Sequence, residues 1–271
     1  MSHEHEANRR YWDALSPRWR ELRDRDGLWT RCAAEPELAF EGEALAMIRA
    51  YGGNLMGKSA CVIGTGDAYA AFALAGLGAR VTATDISQGQ LDVARSRAEQ
   101  LDLALDFVRT DAADLAPLPD DAFDLVCSTN GLFVWIARPD QVFASVHRIL
   151  KPGGFYVFYD IHPFQRPWSD EILADTGGPL QMAKPYWDTG PTVEDDESGR
   201  SYEYNWALAD LLNPLAEAGL VLRRIAESPA RDPRFWEGHS YEPGIDAGLM
   251  DWRRNPRAGL PVWLTVCAQK G

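Results

Sequence analysis

The sequence has no apolar run of the ~18 residues that a membrane-spanning helix needs; its longest candidate, Ala70 to Leu77, is short and interrupted by Gly76. Near Met1 there is no basic region followed by an apolar one, so no secretory signal is expected. Cysteine is scarce: Cys32, Cys61, Cys127 and Cys267 are the only four, three of them sit inside apolar strand-like runs, and none forms a C-x-x-C pair. That pattern predicts buried thiols in a reducing, cytoplasmic compartment rather than disulfides or a zinc site. Histidine is also sparse. His3, His5 and His147 join no constellation, His239 is a second candidate for substrate contact, and no nucleophile elbow is visible, so hydrolase chemistry is unsupported. Positive charge is in deficit, 27 Lys and Arg against 40 Asp and Glu for a net charge of −13, which argues against nucleic acid as a partner. The densest acidic run, Glu194-Asp195-Asp196-Glu197, lacks the glycine and alternating oxygen ligands of a calcium loop and reads as a solvated loop, so no metal is expected. No internal repeat or low-complexity tract occurs.

What is present is a chain of 271 residues, 46% hydrophobic and 25% charged, long enough for one large α/β unit with a cap. Tyr11, Trp12, Leu15 and Trp19 recur at helical spacing and predict an amphipathic helix within residues 4–25; a second helix is expected over 36–50. From Ala60 short apolar strands alternate with helices. Strands are expected at 60–64, 80–85, 105–109, 123–128 and 155–160, with helices at 67–77, 87–101 and 139–150, Ser87 serving as an N-cap and Lys151-Pro152-Gly153-Gly154 as a turn. This alternation implies right-handed crossovers and a parallel, doubly wound sheet covered on both faces. Residues 162–200 and 227–259 break the rhythm, separated by a helix at 204–218 and a strand at 220–225, and the chain closes on a strand at 262–268.

The first strand ends in Gly64-Thr65-Gly66-Asp67, and Asp85 closes the next strand. Glycine lets a ligand approach the backbone, the following helix offers free N–H groups, and an acid at the neighbouring strand tip suits a ribose diol. A dinucleotide fingerprint wants a small residue three places after the second glycine. Tyr69 stands there instead, and Asp67 would bring negative charge near a pyrophosphate. A cationic, phosphate-free nucleoside such as S-adenosylmethionine (SAM) fits this turn better.

With these residues in order, the chain resembles the class I SAM-dependent methyltransferases. The resemblance covers residues 55–160 and rests on Val62-Ile63-Gly64-Thr65-Gly66, Thr84-Asp85-Ile86-Ser87, Thr110-Asp111-Ala112, Phe123-Asp124-Leu125-Val126 and Arg148-Ile149-Leu150-Lys151-Pro152-Gly153-Gly154. It implies a Rossmann-like α/β sheet of seven strands, the last antiparallel, and SAM as cofactor. Carried over by position, Gly64, Thr65, Gly66 and Asp67 would lie along the methionine part. Asp85 would bind the ribose, with Ile86 and Gln90 beside the nucleoside. Asp111 and Ala112 would meet the adenine, and Asn130 and Gly131 would sit near the sulfonium. The chain departs from the family at Val62, where an acid is usual, and at Ala68, where a third glycine is usual; Asp67 is a candidate to compensate. Residues 1–50 would form an N-terminal helical lid, with Tyr11 over the cofactor, on a domain spanning 51–271 with cap insertions at 162–200 and 227–259.

The acceptor is expected to be a small molecule methylated on O, N or C. Trp12, Trp19, Trp135, Trp168, Trp187 and Trp236 fall in segments around the mouth and, with Tyr186, would favour an aromatic or hydrophobic acceptor. His162, just past the fifth strand, is the candidate general base or else a loop hydrogen-bond partner. Arg166 holds an anionic substrate group or pairs with a surface carboxylate. Two alternatives stay open: a SAM-binding protein with a non-methylating role, and an NAD-dependent oxidoreductase.

Overall fold

The computed structural model describes residues 1–168, 180–236 and 246–271. His239 and parts of both expected cap insertions lie outside the described residues. Seven strands form one sheet: β1 (Ser59–Ile63), β2 (Arg80–Asp85), β3 (Leu105–Arg109), β4 (Phe123–Ser128), β5 (Leu150–Ile161), β8 (Leu220–Ser228) and β9 (Trp263–Lys270). Their order is β3-β2-β1-β4-β5-β9-β8. Strands β1 to β5 pair in parallel, and β9 runs antiparallel to both β5 and β8. The expected Rossmann-like sheet with an antiparallel last strand is therefore the observed one. The winding reverses beside β1, which pairs with β2 on one side and β4 on the other, and a crevice opens beyond the carboxyl ends of these strands.

Alternate strand residues serve two cores, as the pleat requires. Ala60, Val62, Val157 and Tyr159 face a layer made by α2 (Ala44–Gly52), α3 (Tyr69–Gly76) and α4 (Gln88–Gln100), with Ile48, Phe72 and Leu74 fully buried. Cys61, Ile63, Tyr156 and Phe158 face α5 (Pro139–Ile149) and α6 (Leu208–Glu217), where Phe143 and Leu215 lie. Among these, each fully buried Val, Leu, Ile or Phe side chain contributes roughly 1.5–3 kcal/mol of transfer free energy. All four cysteines are buried and free.

Helix α1 (His3–Asp26) starts on the Ser2 hydroxyl, which accepts from His5 N, and ends where Gly27 turns left-handed. It lies across the carboxyl ends of the strands, against α4 and a hairpin of β6 (Thr192–Asp196) and β7 (Gly199–Glu203). The hairpin corrects the expectation of an irregular 162–200 segment, and places Glu194-Asp195-Asp196 on a strand rather than in a loop. Every residue of β6 is exposed, so no in-out alternation marked it. Other bounds also differ. The helix expected over 36–50 is a short turn at Pro36–Leu38 followed by α2, and α6 starts at Leu208 rather than 204. Residues 151–154, expected as a turn, stay within β5, where the pairing with β4 shifts register.

The turn carrying Ala33 presses on α3 so closely that a Cβ on Gly76 would lie 1.9 Å from the Ala33 carbonyl oxygen. Because backbone cannot swing aside, Gly76→Ala should lower stability by about 1–3 kcal/mol. A urea midpoint equal to the parent's, at equal m-value, would show that this contact is not tight.

Candidate functional site

The glycine turn is held by the acid at the tip of β2. Asp85 Oδ2 accepts from Gly66 N at 2.9 Å and Oδ1 from Ser87 N at 2.9 Å. One carboxylate thus fixes both the turn after β1 and the N-cap of α4. Burial pushes its pKa up to about 6, with the N–H groups of Ser87, Gly66 and Ile86 pulling the other way. Each oxygen keeps a further lone pair for a ligand hydroxyl. Gly66 and Gly131 show nothing within 4 Å of where a Cβ would stand, whereas Gly64 abuts Leu132 at 2.6 Å.

Past β3, Asp111 Oδ2 lies 2.8 Å from His5 Nδ1 and Oδ1 accepts from Ala113 N at 2.9 Å. Burial opposes the charge of Asp111, but the His5 contact and the Ala113 N–H outweigh it and leave its pKa below the ordinary carboxylate value. His5 Nε2 accepts from Ala137 N at 2.9 Å, which puts the ring proton on Nδ1, facing Asp111. Past β4, the loop holding Asn130 and Gly131 is gripped from below by Asp160 of β5. Its oxygens accept from Gly131 N at 3.2 Å, Phe133 N at 3.1 Å and Ile161 N at 2.8 Å. Burial raises the Asp160 pKa, and Arg166 acts against that rise.

Helix α1 reaches each of these loops with one face. Asp13 accepts from Ser87 Oγ at 2.7 Å and Gly89 N at 3.2 Å. Asn8 donates to the Trp135 and Tyr202 carbonyls and accepts from Tyr202 N. Trp19 Nε1 and Arg23 Nε donate to Asp67 Oδ2 at 3.0 and 2.7 Å, with Arg97 also near Asp67. The charge of Asp67 is therefore neutralised by α1 and α4, which corrects the argument that it would repel a pyrophosphate. Tyr69 remains the feature that departs from a dinucleotide turn; its hydroxyl donates to Asp26 at 3.0 Å.

These residues enclose a cavity of about 730 Å³, within the range of small-molecule sites. Gly64, Thr65, Gly66, Asp67, Asp85, Ile86, Gln90, Asp111, Ala112, Asn130, Gly131 and Tyr11 all line it. So do Trp12, Trp19, Trp135 and Arg166, with Trp12 packing edge-on against both other indoles. Trp19 meets the glycine turn through Asp67 rather than an acceptor chamber.

Five sequence-derived candidates need correction. His162 is buried and does not line the cavity. Its Nδ1 accepts from Phe164 N, and Nε2 lies 2.8 Å from Glu227 Oε1 without hydrogen-bond alignment, so the ring is committed to the loop beside β8. Trp168, Tyr186, Trp187 and Trp236 are likewise not among the lining residues. Trp168 Nε1 bonds the Phe164 carbonyl, the Tyr186 hydroxyl accepts from Leu208 N, and Trp187 is 77% exposed. Conversely, His5, expected to join no constellation, pairs with Asp111, and Asn8, Asp13, Asp160 and Glu203 carry no mark in the sequence pattern as read above. Asp160 closes β5 as Asp85 closes β2, and that parallel was a usable signal; the others act across distances in sequence that no local pattern encodes.

Two residues that line the cavity each bury a polar atom with no hydrogen-bond partner among the described residues, Thr65 Oγ1 and Gln90 Nε2. A donor and a hydroxyl orphaned beside two open-faced glycines fit a polar nucleoside ligand.

Comparison with known proteins agrees with this geometry. Residues 61–158 match the model of a methyltransferase domain. The chain is 44% identical over 91 residues to a demethylmenaquinone methyltransferase of Clavibacter sepedonicus, covering 34% of this chain and 35% of that one. It thus spans about a third of the length of that relative. Among solved structures, an S-adenosylmethionine dependent methyltransferase from Mesorhizobium loti aligns with TM-score 0.63 at 21% identity, over 84% of this chain and 98% of that one. The [4+2]-cyclase SpnF shares the fold at TM-score 0.54 and 20% identity, over 83% of this chain and 80% of its own.

Since the folded-state pKa of Asp85 lies above its unfolded value of ~3.9, the native state holds this proton more tightly. Its contribution to stability therefore falls as pH climbs from about 4 to about 6 and is constant above. Asp85→Asn should lack that component, about 3 kcal/mol; parallel stability–pH curves for parent and variant would contradict the assignment.

Proposed function

We propose that this chain, whose residues 61–158 are a methyltransferase domain on a class I fold, transfers a methyl group from SAM to a small-molecule acceptor. The observation that carries the reading is the pair of orphaned atoms, Thr65 Oγ1 and Gln90 Nε2, beside Gly66, Gly131 and the Asp85 carboxylate in one cavity. On this reading the 64–67 turn lies along the methionine part, Asp85 takes the ribose hydroxyls and Ile86 packs on the base. Asp111 and the Ala112 N–H face the adenine edge, and Asn130 and Gly131 border the reacting centre. When bound, the cofactor supplies a methyl group already activated by its sulfonium. The protein's work is then orientation and exclusion of water, effects worth ~7–11 kcal/mol in well-aligned systems.

Helix α1 serves as the lid in this reading, since His5, Asn8, Asp13, Trp19 and Arg23 tie it to every loop that would touch the cofactor. Trp12, Trp135 and Tyr11 wall the space beyond the Asn130–Gly131 loop, which favours an aromatic or hydrophobic acceptor. A net charge of −13 disfavours nucleic acid as that acceptor. Four buried free thiols, and no helix among the described residues long and apolar enough to cross a membrane, support a cytoplasmic placement. A second reading, a SAM-binding protein with a non-methylating role, is kept because a [4+2]-cyclase shares this fold.

Calorimetric titration should give saturable binding of SAM and S-adenosylhomocysteine and none of NADH, and Asp85→Ala should weaken the first two by about 1.5–3 kcal/mol. Binding of NADH alone would return Asp85 to a dinucleotide ribose and end this reading. If α1 is the lid, Asn8→Ala should speed S-adenosylhomocysteine release roughly tenfold, the equivalent of about 1.4 kcal/mol. An unaltered off-rate in stopped flow would leave α1 as a static cover.

A further inference from the structure

Two half-exposed charged side chains line the cavity without a protein partner among the described residues. Arg166 lies in the short turn after β5, and Glu203 closes β7. Among the described residues neither side chain makes a hydrogen bond or an ion pair, with each other or with any neighbour. They are near enough for Arg166 to act on the Glu203 carboxylate and on Asp160, whose oxygens carry the Gly131 loop.

Most other charged groups lining the cavity are engaged. Asp85 holds Gly66 and Ser87, Asp111 meets His5 and Asp67 meets Arg23. Arg234 pairs with Asp232, and Arg231 donates to the Phe40 and Gly42 carbonyls. Glu41 likewise makes no side-chain hydrogen bond or ion pair among the described residues, but the cations that act on it, Arg231 and Arg234, are already committed to other partners. Arg166 and Glu203 therefore stand out as a guanidinium and a carboxylate that are both unengaged and close enough to act on each other.

We propose that Arg166 and Glu203 receive the methyl acceptor: Glu203 takes the proton of its nucleophilic O–H, and Arg166 holds an anionic oxygen elsewhere on the same molecule. The acceptor is then an aromatic hydroxy acid, its ring against the Trp12–Trp135 wall. This rests on the methyltransferase reading. In balance, the O–H proton passes to the Glu203 carboxylate, the oxygen forms its bond to the methyl carbon, and the carbon–sulfur pair returns to sulfur as a neutral thioether. Glu203 then releases the proton to solvent. Burial holds the Glu203 pKa above its ordinary value, which suits a base working near neutrality. The groups facing it are Arg166, Lys184 from the loop ahead of the hairpin, Glu194 of β6 and Tyr11 of α1. The two cations lower its pKa and Glu194 raises it.

The test uses the full chain saturated with S-adenosylhomocysteine, titrated with the isomeric monohydroxybenzoates and with their methyl esters. At least one hydroxybenzoate should bind more than tenfold tighter than its ester, and Arg166→Gln should erase that difference while leaving S-adenosylhomocysteine affinity intact. With SAM, Glu203→Gln should lower kcat on the bound hydroxybenzoate roughly a hundredfold, with KM and S-adenosylhomocysteine affinity kept and the acid limb of the pH profile lost. Glu41→Gln should change neither. Acids and esters that bind alike, or that both fail to bind, overturn the proposal while the cofactor reading stands. So does an active Glu203→Gln, or a loss that follows Glu41 instead. Failure of S-adenosylhomocysteine itself to bind removes the reading beneath it.

Discussion

Buried carboxylates at the strand ends govern this molecule. Asp85 after β2, Asp111 after β3 and Asp160 at the end of β5 each accept backbone N–H groups from loops that would otherwise have no regular partner. An unpaired buried N–H costs about 1–3 kcal/mol, and hydrogen bonds to charged groups are the stronger kind. The loops facing the crevice are thus rigid without being part of helix or sheet. The cost falls on the acids: desolvation raises Asp85 and Asp160, and only Asp111, which has His5 beside it, lies below its ordinary value.

Helix α1 completes that arrangement. Its inward face offers a matched group to each loop: an imidazole to Asp111, a carboxylate to the N-cap of α4, an amide to β7 and an indole and guanidinium to Asp67. Few of these contacts would hold α1 on apolar burial alone, because its mean composition is strongly polar and its buried residues are His5, Asn8 and Ser16. If α1 is the lid, a cover docked by polar groups is the kind of element for which opening is least costly.

Local pattern made much of this legible. The alternation of apolar strands with helices, Ser87 as a cap and the run from Gly64 to Asp67 all encode themselves over a few residues, so the sheet and its crevice could be placed from sequence. Partners across the chain could not. The hairpin of β6 and β7 is solvated on β6 and carries no alternation. His162 sits at the expected strand end, yet whether its ring turns to the crevice or to Glu227 depends on β8, more than sixty residues away by number, and the structure turns it to Glu227. Tyr186 and Trp187 stand near the crevice in sequence logic but are drawn to the start of α6 and to solvent. Aromatic content was a sound signal for the wall and a poor one for which rings form it.

The same division explains where specificity resides. The segment that matches a methyltransferase domain ends at residue 158, before Asp160, Arg166, the hairpin and the 231–236 turn. Those later elements supply the far wall of the cavity, and the shared fold does not fix them, since folds host many chemistries. Asn8 binds both Trp135 of the β4 loop and Tyr202 of the hairpin. On the proposed reading α1 therefore touches both compartments, the nucleoside side through His5 and Asp13 and the acceptor wall through Asn8. If α1 is a lid as proposed, these shared contacts couple the two compartments, so closing over the cofactor would also order the acceptor wall.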